Sequence, residues 1–163
     1  MIRAGLVIVM GGIIISMAIA LYSYTLYQPN VLETPHGEPV ILGPMEYAVT
    51  FEGTNNGNDK FQPEHTFVKI RVNMQNIAGH AATVSGGQFY IVGADGRPLQ
   101  PVFGNGTLGQ EDLLRETLQP GSHITRTTQF DIPFDDGATY QLLIRPAKEH
   151  ATSDHAVICL RNC

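Results

Sequence analysis

The sequence predicts an all-β protein: an immunoglobulin-like antiparallel β-sandwich preceded by one N-terminal transmembrane helix. An uncharged apolar run extends from Ala4 to Leu21. After residue 38 the chain is a series of short β-like runs separated by turn residues, and this pattern without long helical crossovers is typical of a sandwich. A chain of 163 residues has room for one anchor and one domain core.

The apolar run from Ala4 to Leu21 has the length of a membrane span. As a helix it extends about 27 Å, which is close to the hydrocarbon thickness of a bilayer. Backbone amides and carbonyls in lipid must bond within their own segment, so we expect this run to be helical.

The charges around the run predict its orientation. Arg3 precedes it, and the next basic residue is Lys60. The positive-inside rule then keeps the N-terminus cytoplasmic. Tyr22, Tyr24 and Tyr27 follow the run, as an interfacial aromatic belt does. We therefore expect a single pass through the cell (inner) membrane, with the C-terminal domain periplasmic or extracellular.

A cleaved signal peptide is the alternative to a retained anchor. Ala18-Ile19-Ala20 has the small-x-small pattern of a cleavage site. The length of the apolar run and the tyrosines after it favour retention of the helix.

Small residues recur on one face of the predicted helix. Gly12, Ser16 and Ala20 are spaced by four, which places them on one side and lets another membrane helix approach closely. Small residues are also common in membrane helices in general. The pattern therefore predicts a packing face, and a face that contacts no other helix is the alternative.

The chain divides into three predicted parts: residues 1–27 form the cytoplasmic stub and anchor, 28–38 an extended linker, and 39–163 the sandwich. Pro29, Pro35 and Gly37 indicate the linker. The clearest strand runs from Thr66 to Gln75, because Val68, Ile70, Val72 and Met74 alternate with polar residues.

Shorter β-like runs complete the predicted sandwich. Ala94-Asp95-Gly96-Arg97 is a hairpin turn, because glycine reaches positive φ without steric cost. Pro98 and Pro101 make the returning strand Leu99–Phe103 an edge. Gln110–Leu118 is the one soluble stretch that favours a helical turn or two. The other predicted strands are Val40–Leu42, Tyr47–Phe51, Phe89–Val92, Ile124–Ile132, Tyr140–Ile144 and Ala156–Leu160.

Three stretches carry a family resemblance: VKIRVNMQN at 68–76, FYIVGADGRPL at 89–99 and LQPGSHITRTTQFDIP at 118–133. In this order, the chain resembles the telokin-like, immunoglobulin-fold ectodomains of bacterial membrane proteins and lipoproteins over roughly residues 38–146. The resemblance implies a β-sandwich outside the membrane and no reaction. The chain departs from a lipoprotein pattern, because no Cys follows the apolar run. It also lacks the central Trp of antibody-type domains, since it contains no Trp.

Cys159 and Cys163 are the two cysteines of the chain. An even count in an exported domain favours a disulfide. Residues four apart in an extended chain lie about 13 Å apart, which is too far for a bridge. The bond therefore requires the last strand to end near Leu160 and the chain to turn back through Arg161-Asn162.

A metal site is the alternative use of the same segment. His150, His155, Cys159 and Cys163 lie close together in sequence, and all four are ligand types for zinc or copper. Their spacing matches no standard zinc module, so the prediction leaves these four as candidates only.

Other polar residues favour plain structural roles. His36, His65, His80 and His123 sit in predicted loops, where exposed histidines are common. Asp135-Asp136-Gly137 is a predicted turn and lacks the ligand period of a calcium loop. Asn105-Gly106-Thr107 matches a glycosylation acceptor.

Composition and motifs exclude several functions. The formal charge is −5 and no basic run is present, which argues against nucleic acid as a partner. No nucleophile elbow, phosphate loop or dinucleotide fingerprint occurs, so we predict no catalytic residue and no cofactor. The sequence favours a non-enzymatic interaction module: an accessory or stabilising subunit of a membrane complex, of respiratory or photosynthetic type, held through its helix and its sandwich. The alternative is an extracytoplasmic ligand- or metal-binding sensor that uses the C-terminal His/Cys segment.

Overall fold

The computed structural model describes residues 2–103, 109–150, 152 and 154–163. The chain separates into two compact units, Met1–Asn30 and Val31–Cys163.

The first unit is the helix α1, Ile2–Leu26. Two hydroxyl groups bond within the helix: Ser16 Oγ donates to the Ile13 carbonyl at 2.9 Å and Thr25 Oγ1 to the Tyr22 carbonyl at 2.8 Å. Within the described chain, Val9–Leu26 is the one segment long and apolar enough to cross a membrane, with a mean hydropathy of 1.8. A signal sequence shares these properties, so α1 is an apolar anchor or signal helix.

The second unit is a β-sandwich. A five-stranded sheet has the order β1-β11-β10-β6-β7, a four-stranded sheet the order β2-β3-β4-β9, and β5 pairs with β8. The strands are β1 Val31–Thr34, β2 Val40–Leu42, β3 Met45–Asn55, β4 Thr66–Asn76, β5 Ala82–Ser85, β6 Phe89–Val92, β7 Pro98–Leu99, β8 Arg115–Leu118, β9 His123–Ile132, β10 Tyr140–Ile144 and β11 His155–Arg161.

The core lies between the sheets and follows the period of two. In β4, Val68, Ile70, Val72 and Met74 are buried, each at 1% exposure or less, whereas the polar residues between them face outward. They pack against the inward residues of the other sheet, such as Leu142. The predicted alternation of this strand is therefore confirmed.

The predicted linker contributes a strand to the sandwich, which corrects the boundary at residue 39. Val31–Thr34 pairs with β11 in parallel, beginning with Val31 against His155. Two residues further on, the Phe51 amide donates to His36 Nε2 at 3.0 Å. The segment thus bonds to both sheets. It also adds a parallel pair to a sandwich that the sequence predicts as antiparallel.

Tertiary contacts override two local predictions. Gln110–Leu118 does not form the expected helical turns beyond the short 3₁₀ turn Gly109–Glu111, because β8 pairs with β5. The predicted strand Leu99–Phe103 is reduced to Pro98–Leu99 at the sheet edge. Pro101 has no amide hydrogen to donate to a strand partner, and the Val102 amide bonds to the Gln129 carbonyl of β9 at 2.8 Å.

A tyrosine ties the β9–β10 connection together. The Tyr140 hydroxyl accepts from the Asp135 amide at 2.9 Å and donates to the Pro133 carbonyl at 3.2 Å. A tyrosine at the start of a strand that bonds to backbone a few residues upstream is the tyrosine corner of immunoglobulin-type sandwiches. Asp135 Oδ1 also accepts from the Gly137 amide at 2.9 Å, so the predicted turn is confirmed.

Tyr47 gives the sandwich an alkaline stability limit. Burial raises the pKa of its hydroxyl, and a hydrogen bond with Gln88 opposes that rise. The unfolded chain ionises a tyrosine near pH 10, whereas the folded chain keeps this one neutral. The resulting stability is complete below about pH 10 and falls above it by about 1.4 kcal/mol per pH unit.

We therefore expect the Tyr47→Phe variant to lose this alkaline slope. Urea unfolding of the detergent-solubilised chain at pH 8, 10 and 11 measures the free energy of unfolding. The difference in this free energy between wild type and variant should shrink as the pH rises. If the free energy of unfolding fell equally in both proteins above pH 10, the alkaline loss of stability would not be due to Tyr47.

Candidate functional site

The outer faces of the two sheets differ in chemistry. The outward residues of the central strands in the five-stranded sheet are mostly apolar and half-buried. Four of them form a continuous patch, here called the outer strip: Tyr90, Val92, Leu143 and Val157. Alternate residues of these strands point into the core, so these strands carry apolar residues on both faces.

Strand register places the outer strip in adjacent rows. Leu143 of β10 pairs with Val157 of β11 on one side and with Tyr90 of β6 on the other. In the next row Gln141 pairs with Val92 and with Cys159. Directly paired residues of a sheet share a face, so three strands present the strip together.

Polar side chains border the strip. Glu33 of β1 pairs with Val157, and the Arg145 guanidinium lies 4.5 Å from the centre of the Tyr90 ring. The Gln100 side chain meets the Tyr90 hydroxyl at 3.4 Å. An apolar centre with a polar border is the arrangement of protein–protein interfaces.

A cleft of about 350 Å³ adjoins the strip, lined by residues of β1 with the segment after it, β10 and β11. Cys159 and Cys163 lie on its wall at disulfide distance, with Cα atoms 5.7 Å apart. β11 ends at Arg161, and Asn162 adopts a left-handed φ of 54°. The chain thus reverses at the Arg161-Asn162 position that a bridge requires.

Asn162 fixes this reversal. Its Nδ2 donates to the carbonyls of Asp136 and Ala138 at 2.8 and 3.0 Å. Asn is tolerated at positive φ better than most residues. The C-terminal turn is therefore held against the β9–β10 connection as well as by the cysteines.

The outer face of the four-stranded sheet is polar. Glu52 forms ion pairs with Lys69, at 3.1 Å, and with Arg71. On the neighbouring strand Thr125 Oγ1 donates to Asn73 Oδ1 at 2.6 Å. This face has the charged, hydrated character of an ordinary solvent surface.

The four candidate metal ligands are not brought together. The two cysteines lie at disulfide distance, His155 begins β11, and His150 lies in the 3₁₀ turn Lys148–His150. Within residues 2–103, 109–150, 152 and 154–163, no three His, Cys, Asp or Glu side chains are grouped so as to hold a metal. His150 instead packs against His80, with ring centroids 5.3 Å apart.

The predicted helix-packing residues all lie in α1. Gly12 and Ala20 are exposed within their unit, and a Cβ atom added at Gly12 would meet no atom within 4 Å. Almost all residues of Val9–Leu26 are equally exposed, so it is the spacing of the small residues, and not their exposure, that marks this face.

Of the remaining sequence candidates, His36 lies exposed in a turn, as predicted, and its Nε2 accepts a hydrogen bond from the Phe51 amide. His123 starts β9 on the polar outer face. Asn105-Gly106-Thr107 lies outside the described residues.

Residues 34–154 match a domain of unknown function, DUF4352. The chain belongs to this family. The match covers the sandwich from the end of β1 to the residue before β11. A comparison with curated proteins finds no match.

Solved bacterial structures share the fold of this DUF4352 protein. The yjhA protein of Bacillus subtilis is 19% identical with a TM-score of 0.61, and the match covers 77% of this chain and 98% of yjhA. The secreted protein MPT63 of Mycobacterium tuberculosis is 13% identical with a TM-score of 0.60, over 83% of this chain and 100% of MPT63. A Bacillus subtilis protein described as a lipoprotein, ycdA, is 12% identical with a TM-score of 0.58, over 76% of this chain and 38% of ycdA.

These similarities support the β-sandwich fold. Sequence reasoning missed the outer strip. Its local signal was the run Ala156–Leu160, where apolar residues do not alternate with polar ones. An unbroken apolar strand indicates a strand covered on both faces.

Proposed function

We propose that this DUF4352 protein is a membrane-anchored interaction module without catalytic activity. Its helix spans the cell membrane once, and its telokin-like sandwich binds a larger membrane protein outside the cytoplasm. In this role it is an accessory subunit that stabilises the complex.

The observation that carries the proposal is the contrast between the two sheets. One presents the outer strip with its polar border, and the other presents ion pairs and hydroxyl groups. When a partner covers apolar side chains on an outer sheet face, it removes them from water. This burial stabilises the complex by about 25 cal/mol per Å² of apolar surface.

The partner that fits is a membrane-protein subunit with an apolar patch of its own above the bilayer. The small-residue face of α1 supports the same type of partner, since Gly12, Ser16 and Ala20 are spaced so that a second helix can approach closely. Two weak contacts on one chain reinforce each other, because the second forms at high effective concentration.

A charge placed in the outer strip tests the proposal. We expect Leu143→Lys to reduce recovery of the partner by at least about tenfold after mild detergent extraction, since burying an unpaired ammonium at the centre of an interface costs well over 1.4 kcal/mol. Ala48→Lys is the matched control, because Ala48 lies on the outer face of β3. Native sizing and mass spectrometry of the co-purified complex measure both.

Two results would contradict this function. One is a wild-type chain that elutes as a monomer with no stoichiometric companion. The other is an equal loss of the companion in both lysine variants. The identity of the companion then tests whether the complex is respiratory or photosynthetic, the classes that the sequence favours.

A further inference from the structure

We propose that His80 and His150 form a binding site for one divalent transition-metal ion, of the type that imidazole prefers, such as Zn²⁺ or Cu²⁺. The pair shares no residue with the outer strip and does not depend on the proposed function. It retains one residue of the sequence-predicted metal set and replaces the other three with a histidine from a distant loop.

The geometry of the rings carries this proposal. Their centroids are 5.3 Å apart and their planes are inclined by 43°. Two imidazoles on one tetrahedral ion have centroids roughly 5 Å apart, because each metal–nitrogen bond is about 2 Å. The rings therefore need only side-chain rotation to place one nitrogen of each on a shared ion.

The backbone at both histidines is fixed from within the fold. The carbonyl of His80 accepts from Asn76 Nδ2 at 2.8 Å, and the side chain of Asn76 is completely buried. The amide of His150 donates to the Ala147 carbonyl at 2.8 Å, and Ala147 is also buried. A pair fixed by the core loses less conformational entropy on binding than two free loop residues.

The site is open to solvent. His80 is exposed and His150 is half-buried, so an ion reaches both rings without unfolding. With two protein ligands, water completes the coordination shell. Open shells of this kind suit exchangeable ions, whereas structural zinc sites are closed by four protein ligands.

Imidazole also predicts the order of affinity. Copper(II) binds nitrogen ligands more tightly than zinc, and calcium prefers oxygen. We expect the intact chain in detergent to bind one equivalent of Cu²⁺ most tightly and Zn²⁺ more weakly. Ca²⁺ should not compete.

Isothermal titration of the full chain with CuCl₂ and ZnCl₂ provides the test. Removing a residue that merely supports a metal ligand costs about 10- to 100-fold in affinity, so His80→Ala and His150→Ala should each cost at least as much. His123→Ala is the matched control for an exposed histidine, and His155→Ala tests the sequence-predicted set. Both controls should retain wild-type affinity.

Electron spin resonance of the Cu²⁺ complex gives an independent readout, since nitrogen hyperfine structure should indicate two imidazoles and simplify in either variant. His80→Gln and His150→Gln repeat the test with larger side chains, and circular dichroism verifies that each variant is folded. The proposal fails if wild type binds no stoichiometric ion, or if both histidine variants bind as wild type does. It also fails if His155→Ala abolishes binding, because that result assigns the ion to the C-terminal segment.

Discussion

We expect Asn76→Ala to destabilise the sandwich by roughly 3–5 kcal/mol, because the side chain satisfies several backbone groups at once. Asn76 is at 0% exposure. Its Nδ2 donates to the carbonyls of His80 and Leu118 at 2.8 and 2.9 Å, and its Oδ1 accepts from the Ala78 amide at 3.0 Å. Truncation leaves the Leu118 carbonyl and the Ala78 amide without this partner.

The loss should reach beyond one loop. The lost side-chain bonds lead to the loop at His80 and to Leu118 at the end of β8, whereas the backbone bonds of Asn76 with Ser122 and Gly121 of the β8–β9 turn remain in the variant. The residue thus joins β4, the loop at His80 and the turn before β9. Asn76→Asp is expected to be as harmful, because a carboxylate cannot donate to a carbonyl and its charge would be buried.

Asn73→Ala is the matched control. Asn73 lies on the same strand but faces the polar surface, where it accepts one hydrogen bond from Thr125. Its replacement should cost about 1 kcal/mol or less. Urea unfolding of the detergent-solubilised chain measures all three variants, and equal costs at positions 73 and 76 would refute this account.

Gly86→Ala should destabilise the protein by roughly 3 kcal/mol through overpacking. A Cβ atom at this buried glycine would overlap the carbonyl oxygen of Leu113 and the ring of Phe103. The ring can rotate, but the carbonyl belongs to a backbone segment whose amide bonds to Thr127 of β9 at 2.9 Å. Relief therefore requires the β8 side of the sandwich to shift.

The adjacent glycine gives a nearly ideal comparison. Gly87 is exposed, and an added Cβ atom would meet nothing within 4 Å. Gly87→Ala should be neutral or stabilise slightly, since alanine restricts the unfolded chain. Similar melting temperatures for the two alanine variants would show that position 86 tolerates a side chain and that the close approach has no energetic weight.

The strands that the sequence predicts well are those whose pattern is local. β4 alternates residue by residue, and the Asp95-Gly96 turn is encoded where it occurs. These features depend on side-chain periodicity and on glycine at φ of 71°, both visible in a short window.

The predictions that were wrong concern segments whose contacts are far away in the sequence. Arg115–Leu118 looks helical, yet it pairs with Ala82–Ser85, a strand too short to be recognised by itself. Leu113 is fully buried through its contact with β9, which no local pattern encodes. Tertiary contacts of this kind routinely override weak helical preference.

The same distinction between local and long-range contacts applies to the candidate sites and to the linker. The turn of the chain at Asn162 was predictable, because the bridge requires it over so short a loop. The His80–His150 pair was not, since the two residues come from separate connections of the fold and neither carries a local metal motif. The linker was predicted as extended, but nothing in its residues indicates that its strand partner is β11.

The pairing of the first strand with the last affects how the protein is made. A ribosome releases Val31–Thr34 well before it releases His155–Arg161. The sheet edge at β1 therefore stays without its partner until translation of β11 is complete, and non-local closure of this kind is slow. A product stalled before residue 155 would lack the strand that joins β1 to β10. Such a product would expose apolar surface of β1 and β10 to chaperones and proteases.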